Sequence, residues 1–193
     1  MVGTFRIPQA LGVVALLLAV PGRHPTPSVT LARQADVVRQ GLPGAQQFFV
    51  RNVTVGRDDL AKIRQVVDFT PEDPDVKFYY AQDGAGKFIG VVLFPQVNTM
   101  HGPIEVGIAI GPSGTVTSAV VTKASVETKP WVLRVVTAGL MRRFNGLRPG
   151  DDVDQALQGM SAGSVGNMPY YFATVIAATV KRGLVLYQTL FHS

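Results

Sequence analysis

Residues 104–122 read IEVGIAIGPSGTVTSAVVT, and this stretch decides the fold. Ile or Val stands at every second position of residues 104–110, which predicts a β-strand with one apolar face. Residues 111–114, GPSG, form a turn signal, because glycine tolerates the backbone angles of a tight reversal. Residues 115–122 complete the pattern as a second strand. The stretch therefore predicts a β-hairpin.

Another hairpin precedes this one in the chain. Residues 76–82 and 87–94 are rich in aromatic and β-branched side chains and flank the turn DGAG at residues 83–86. Residues 48–55 have a similar composition and predict a further strand. Strands joined by such short turns pair antiparallel. The sequence therefore predicts an α+β fold, in which an antiparallel sheet of hairpins is covered by helices.

Helical signals lie before, between and after these strands. They predict helices at residues 31–39, 58–67 with Asp58 or Asp59 as the cap, 130–144 with Thr128 as the cap, and 170–190, and a short capped turn at 151–157. The last helix is apolar enough to resemble a membrane span. However, Lys181 and Arg182 fall at its centre, where each would cost about 2.5–3.5 kcal/mol in a bilayer. We therefore expect this helix to pack on the sheet.

The first 22 residues, MVGTFRIPQALGVVALLLAVPG, form an apolar leader. The uncharged run at residues 10–20 has the length of a secretory signal core, whereas residues 3–22 suffice for a short transmembrane helix if Arg6 reaches the headgroups. Because no clean small-residue cleavage motif precedes Arg23, the favoured interpretation is an uncleaved, single-pass anchor in the cytoplasmic membrane. The alternatives are cleavage with secretion to the periplasm and a buried helix of a soluble protein.

Two prolines in residues 23–34 predict a linker, and residues 35–193 then predict one α+β domain. The chain of 193 residues is 47% hydrophobic and 16% charged, a composition typical of a folded core. It has no cysteine, which excludes a disulfide scaffold, a zinc-thiolate site and a c-type haem attachment. The net charge is +5, but lysine and arginine are scattered, so nucleic acid is not a predicted partner.

No pattern of catalytic or metal-binding residues stands out. The histidines His24, His101 and His192 are not at metal-ligand spacing, and no metal site is predicted. Ser161 and Ser164 lack the G-x-S-x-G pattern of a serine hydrolase. Residues 159–164, GMSAGS, are suited to presenting backbone N–H groups and hydroxyls to an anion such as phosphate, although flexible connectors have the same composition.

In their order along the chain, seven short segments resemble the FMN-binding domain of the electron-transfer subunits of Rnf complexes and sodium-pumping NADH:quinone reductases. The segments are LPGA at 42–45, FIGVV at 88–92, HGPIEVGI at 101–108, SGTV at 113–116, ASVET at 124–128, FNG at 144–146 and DQALQGMS at 154–161. The resemblance covers about residues 35–190. Members of that family are tethered to a membrane and face the periplasm or the cell exterior, which agrees with an anchoring role of the leader.

In that family the last threonine of the motif D-a-i-S-G-A-T carries FMN through a phosphoester. Here Gln158, Met160 and Ser161 replace the usual Ser, Ala and Thr, and Ser125 replaces the histidine of x-H-x-E-T. If FMN is retained, the resemblance implies attachment through Ser161. In that case it places four further residues near the flavin: Gly159, Glu127, Thr128 and His101.

These departures favour a domain that has lost covalent flavin. Weak, noncovalent binding of FMN is an alternative that the same departures leave open. The first hypothesis is an accessory, mainly structural, non-catalytic subunit of a membrane-bound electron-transfer complex, respiratory or photosynthetic. Its domain would face the periplasm and contact the other subunits, among them a cytochrome-like partner. The second is an FMN-carrying electron-transfer protein with flavin on Ser161. A third is a secreted protein that binds another phosphate-bearing small molecule.

Overall fold

The computed structural model describes residues 27–71 and 73–191. The predicted anchor at residues 1–22 lies outside these residues and stays a prediction. Among the helices of the described part, none is long and apolar enough to cross a membrane.

Seven strands form one sheet, and every pairing between them is antiparallel. The strands are β1 (Ser28–Thr30), β2 (Gln47–Thr54), β3 (Asp75–Gln82), β4 (Phe88–Leu93), β5 (Gln96–Thr99), β6 (Gly102–Ile110) and β7 (Val116–Ser125). Their order across the sheet is β1-β7-β6-β4-β3-β2, with β5 also paired to β6. The predicted α+β fold with an antiparallel sheet is confirmed.

Both predicted hairpins are present, as β3–β4 and β6–β7. In the first turn, Asp83 Oδ1 accepts hydrogen bonds from the N–H groups of Ala85 and Lys87, each at 2.9 Å. Two strands were not predicted. β5 is only four residues long and has one apolar side chain, Val97, and β1 lies within the predicted linker.

The helices are α1 (Gln34–Gly41), α2 (Arg57–Val66), α3 (Lys129–Thr137), α4 (Ala162–Val165) and α5 (Asn167–Leu186). Two 3-10 helices occupy Leu140–Phe144 and Val153–Leu157, and a π-helical turn at Tyr187–Phe191 follows α5. α5 packs on the sheet as predicted: a Cβ at Gly183 would collide with the Ile108 side chain. Arg182 is accommodated beside this interface, with its guanidinium 4.8 Å from the Phe69 ring centroid.

Several helix predictions were wrong in their bounds or cap. The N-cap of α2 is Gly56 instead of Asp58 or Asp59, and the last helix, predicted at residues 170–190, is Asn167–Leu186. The predicted helix at residues 130–144 ends at Thr137, because Gly139 has a φ of 87° and the chain continues as the first 3-10 helix. The predicted helix at residues 31–39 begins at Gln34 instead, since the preceding Ser28–Thr30 pairs with β7.

The predicted apolar face of β6 is present, but the opposite face of the strand is covered as well, which was not predicted. Ile104–Ile110 is buried at every position. Ile104, Val106, Ile108 and Ile110 belong to the large core beneath α3 and α5, whereas Ala109 packs in a smaller core with Val37, Val38 and Leu42 from α1 and the residues after it. Alternate residues of β6 therefore face two different cores, whereas in a half-exposed strand one set would face solvent.

Candidate functional site

Two of the predicted site residues meet in a side-chain hydrogen bond. His101 lies in the turn between β5 and β6, and Glu127 lies in the turn between β7 and α3. The Nδ1 atom of His101 is 2.7 Å from Oε1 of Glu127, with the two side chains 25% and 50% exposed. The turns that carry these side chains are thereby joined at one end of the sheet.

Thr128 lies next to this pair but is fully buried. Its backbone N–H donates to Ser125 Oγ at 3.0 Å, and its Oγ1 accepts from the backbone N–H of Ser125 at 3.1 Å. Ser125 Oγ in turn donates to the carbonyl oxygen of His101 at 2.6 Å. Thr128 occupies the N-cap position of α3, but its hydroxyl closes the turn with Ser125 instead of capping the helix.

Aromatic rings surround His101. The rings of Trp131 and Phe172 are stacked, with centroids 5.6 Å apart and planes 10° apart. The His101 ring meets both nearly edge-on, at centroid distances of 5.6 Å and 6.1 Å. Tyr171 contacts Phe172 edge-to-face at 5.1 Å. The N-terminal halves of α3 and α5 therefore meet at His101.

Sequence reasoning missed Ser125 as a contributor to this arrangement and gave Trp131 and Phe172 no role. Ser125 was identified only as a departure from the family pattern. Its burial between two turns has no periodic signal, because it depends on where the β5–β6 turn lies in space. Trp131 did carry a signal: it is the sole tryptophan of the chain and stands three residues after Thr128.

Ser161 and Gly159 belong to a different loop, which leads into α4 and then α5. Ser161 is the N-cap of α4: its Oγ accepts from the N–H of Ser164 at 3.2 Å, and its own N–H donates to Ser164 Oγ at 2.9 Å. Both serines are exposed. Gly159 has a φ of 75°, and a Cβ placed there would meet no atom within 4 Å.

Met160, between these two residues, is buried and belongs to the large core. Its side chain therefore fills the domain interior, whereas the residues on either side of it are exposed. The loop offers open space at Gly159 and an accessible hydroxyl at Ser161, and that hydroxyl already stabilises the start of α4.

Cavities in the described part of the chain lie elsewhere, and two of them are well formed. The larger, of about 400 Å³, adjoins the end of β4 and includes Tyr79, Phe94 and Glu105 in its lining. The other, of about 260 Å³, lies between α5 and the second 3-10 helix and is lined by Asp152 and Lys181 among others. The lining of these two cavities includes none of the five predicted site residues. Within residues 27–71 and 73–191, no three His, Asp or Glu side chains are grouped to hold a metal ion.

Glu105, at the larger cavity, is 5% exposed and fully engaged. Its Oε1 accepts from Gln34 Nε2 at 2.9 Å and from Thr122 Oγ1 at 2.7 Å, and its Oε2 lies 2.8 Å from Lys123 Nζ. These bonds join α1 to β6 and β7. Glu105 therefore fixes the helix that covers the second face of the sheet.

No protein-family model matches this chain, and no curated protein matches it. A solved structure, described as the crystal structure of Shewanella oneidensis NqrC, is similar to it with 14% sequence identity and a TM-score of 0.47. The similarity covers 76% of this chain and 83% of the NqrC chain.

Proposed function

We propose that this chain is an accessory, mainly structural subunit of a membrane-bound electron-transfer complex, respiratory or photosynthetic. An anchor at residues 3–22 holds it in the cytoplasmic membrane, and the folded domain lies on the periplasmic side. The apolar leader and the ordered resemblance to the FMN-binding domain family support this proposal.

The proposal is carried by the hydrogen bonds that the hydroxyls of Thr128 and Ser161 make. We call these two groups the motif hydroxyls. In the family pattern the position of Ser161 carries the flavin, and the resemblance places Thr128 near it. Here the Thr128 hydroxyl is buried against Ser125, and the Ser161 hydroxyl bonds to that of Ser164. Each hydroxyl stabilises a turn or a helix start. Because these hydroxyls have structural roles, they support a domain that is kept for contact with other proteins and not for covalent attachment of a cofactor.

Strand β2 offers a surface for such contact. It is the last strand at its edge of the sheet, and its Phe48 and Val50 are 47% and 55% exposed. Apolar side chains on a strand of eight residues at a sheet edge are typical of a site where another protein binds. We expect the subunits of the redox complex, a cytochrome among them, to contact the domain here.

Affinity purification from native membranes in mild detergent tests this proposal. The full chain with a C-terminal tag should retain redox subunits that carry haem or flavin of their own. The matched control is the tagged chain with Phe48→Ser and Val50→Ser, which should keep the fold but lose most of these partners. Recovery of the wild-type chain alone would count against a role in a complex.

A second candidate is an FMN-carrying electron-transfer protein with the flavin phosphate esterified to Ser161 Oγ. The exposed hydroxyl and the open space at Gly159 favour it, and the bound isoalloxazine would supply the redox chemistry. In-gel fluorescence of the denatured chain under ultraviolet light tests this candidate. A fluorescent wild-type band that disappears with Ser161→Ala would establish it, and a dark wild-type band would exclude covalent flavin.

A further inference from the structure

The chain enters the folded domain beside the His101–Glu127 pair. The carbonyl oxygen of Pro27 accepts a hydrogen bond from the N–H of Val126 at 2.9 Å, and Ser28 pairs with Ser125 in the sheet. Val126 immediately precedes Glu127. The first described residues of the domain therefore lie at the same end of the sheet as the aromatic rings around His101.

This end of the domain exposes large apolar side chains. Met100, next to His101, is 88% exposed, and Val126, next to Glu127, is 55% exposed. Tyr171 is 42% exposed and contacts Phe172, which in turn packs on the His101 ring. We name Met100, Val126 and Tyr171 the apolar tip. Exposed groups of this kind mark a surface that meets a protein or a membrane.

The length of the chain before Pro27 favours a membrane over a protein as the partner of the apolar tip. Only residues 23–26 separate the predicted anchor from Pro27, and an extended chain spans at most about 3.3–3.6 Å per residue. If the predicted anchor spans the membrane, the apolar tip is held within roughly 20 Å of the bilayer surface. A protein partner would have to fit between the apolar tip and the bilayer surface, whereas lipid headgroups lie within reach of the tip.

The charges beside the tip suit an anionic surface. Lys129 and Arg134 are exposed on α3, the helix that follows Glu127. The acidic Glu127 is engaged with His101. An exposed lysine or arginine held within a Debye length of anionic lipid headgroups is attracted to them, whichever leaflet carries these lipids.

We propose that the apolar tip and Lys129 dock on anionic lipid headgroups, so that the domain lies on the membrane in one fixed orientation. This inference rests on the anchor of the proposed function. It adds that the domain itself binds lipid, which a tether alone does not require.

Trp131 reports on this contact, since it is the sole tryptophan of the chain and stacks on Phe172 behind the tip. The full chain is placed in vesicles of phosphatidylcholine and phosphatidylglycerol in equal amounts, with a nitroxide carried on some choline headgroups. We expect the nitroxide to quench Trp131 emission in these vesicles and much less in vesicles of phosphatidylcholine alone. Lys129→Gln should lower the ratio of docked to undocked chain by about fivefold, which corresponds to ~1 kcal/mol.

The matched control uses two valines of nearly equal exposure. Val126→Ser should weaken quenching, whereas Val66→Ser, at a valine that is 53% exposed on α2, should not. Equal quenching in the two variants and in the wild type would overturn the lipid contact. If Trp131 emission changes only after an acidic partner protein is added, the apolar tip binds protein, and the lipid contact would likewise be overturned.

Flotation of the same vesicles separates this proposal from the anchor. A chain that floats but shows no quenching of Trp131 retains its anchor and lacks the proposed docking. A chain that does not float with the vesicles has no anchor, and the proposed function and this inference then fail together.

Discussion

The hydroxyl oxygen of Ser161 accepts a hydrogen bond from the backbone N–H of Ser164 at 3.2 Å, and the hydroxyl of Ser164 accepts one from the N–H of Ser161 at 2.9 Å. Each side chain thereby bonds a backbone donor at the start of α4, in a capping box. The N–H of Ser164 also donates to the carbonyl oxygen of Ser161, at 3.0 Å. The position that the flavin family uses for its phosphoester has a structural role in this chain.

This relationship predicts that Ser161→Ala destabilises the domain. Loss of an N-cap side chain costs about 1 kcal/mol. Ser161→Asp keeps an acceptor at the cap and should restore most of that loss. Urea unfolding followed by circular dichroism measures both variants. Equal unfolding midpoints for wild type and Ser161→Ala would contradict a capping role.

Ser125→Ala should be more damaging, because Ser125 is fully buried. The change removes the acceptor for the Thr128 N–H and the donor to the His101 carbonyl oxygen. A buried polar group left without a partner costs about 1–3 kcal/mol. The control is Ser118→Ala, on the same strand at a half-buried position, which should shift the unfolding midpoint much less.

Much of the sheet could be predicted from local signals in the sequence, but the contacts between the site residues could not. The β3–β4 and β6–β7 hairpins follow from local signals, since alternation and glycine turns lie within a few residues of each other. The His101–Glu127 contact joins residues that are 26 positions apart. No local rule gives such a distance, because it depends on how β5 directs the chain into β6.

The position of Glu105 illustrates the same limit. An acidic residue in an alternating strand is expected to face solvent, yet α1 covers it and Gln34 bonds to it. The prediction failed because the second core, beneath α1, is built from Val37, Val38 and Leu42, which lie far from β6 in the sequence.

The Glu105–Lys123 pair predicts an asymmetric response to mutation. Lys123→Met leaves a buried carboxylate without its cation and should cost about 3 kcal/mol. Glu105→Gln keeps an acceptor for Thr122 and Gln34, and the freed Lys123 side chain, 37% exposed, can reach water. We expect about 1 kcal/mol for that change. Urea unfolding of the two variants checks the order, and a larger loss for Glu105→Gln would contradict it.

Tyr187 predicts a loss of stability in alkali. Desolvation by burial raises the pKa of Tyr187 above its ordinary value of 10.0. Above that value the unfolded chain releases the phenolic proton while the folded chain retains it, so the free energy of unfolding falls as pH rises. Tyr187→Phe should flatten this decline. Urea midpoints measured from about pH 9 to about pH 11 test it, and parallel profiles for the two proteins would show that Tyr187 does not contribute.

The structural role of the motif hydroxyls is the central claim, and the intact mass of the chain tests it most directly. The measurement uses the protein purified from its own membranes and denatured before mass spectrometry, so that only covalent groups remain. We predict the mass of the polypeptide alone, without flavin. A mass increased by that of FMN less one water, and lost with Ser161→Ala, would contradict the claim and establish Ser161 as a flavin attachment site.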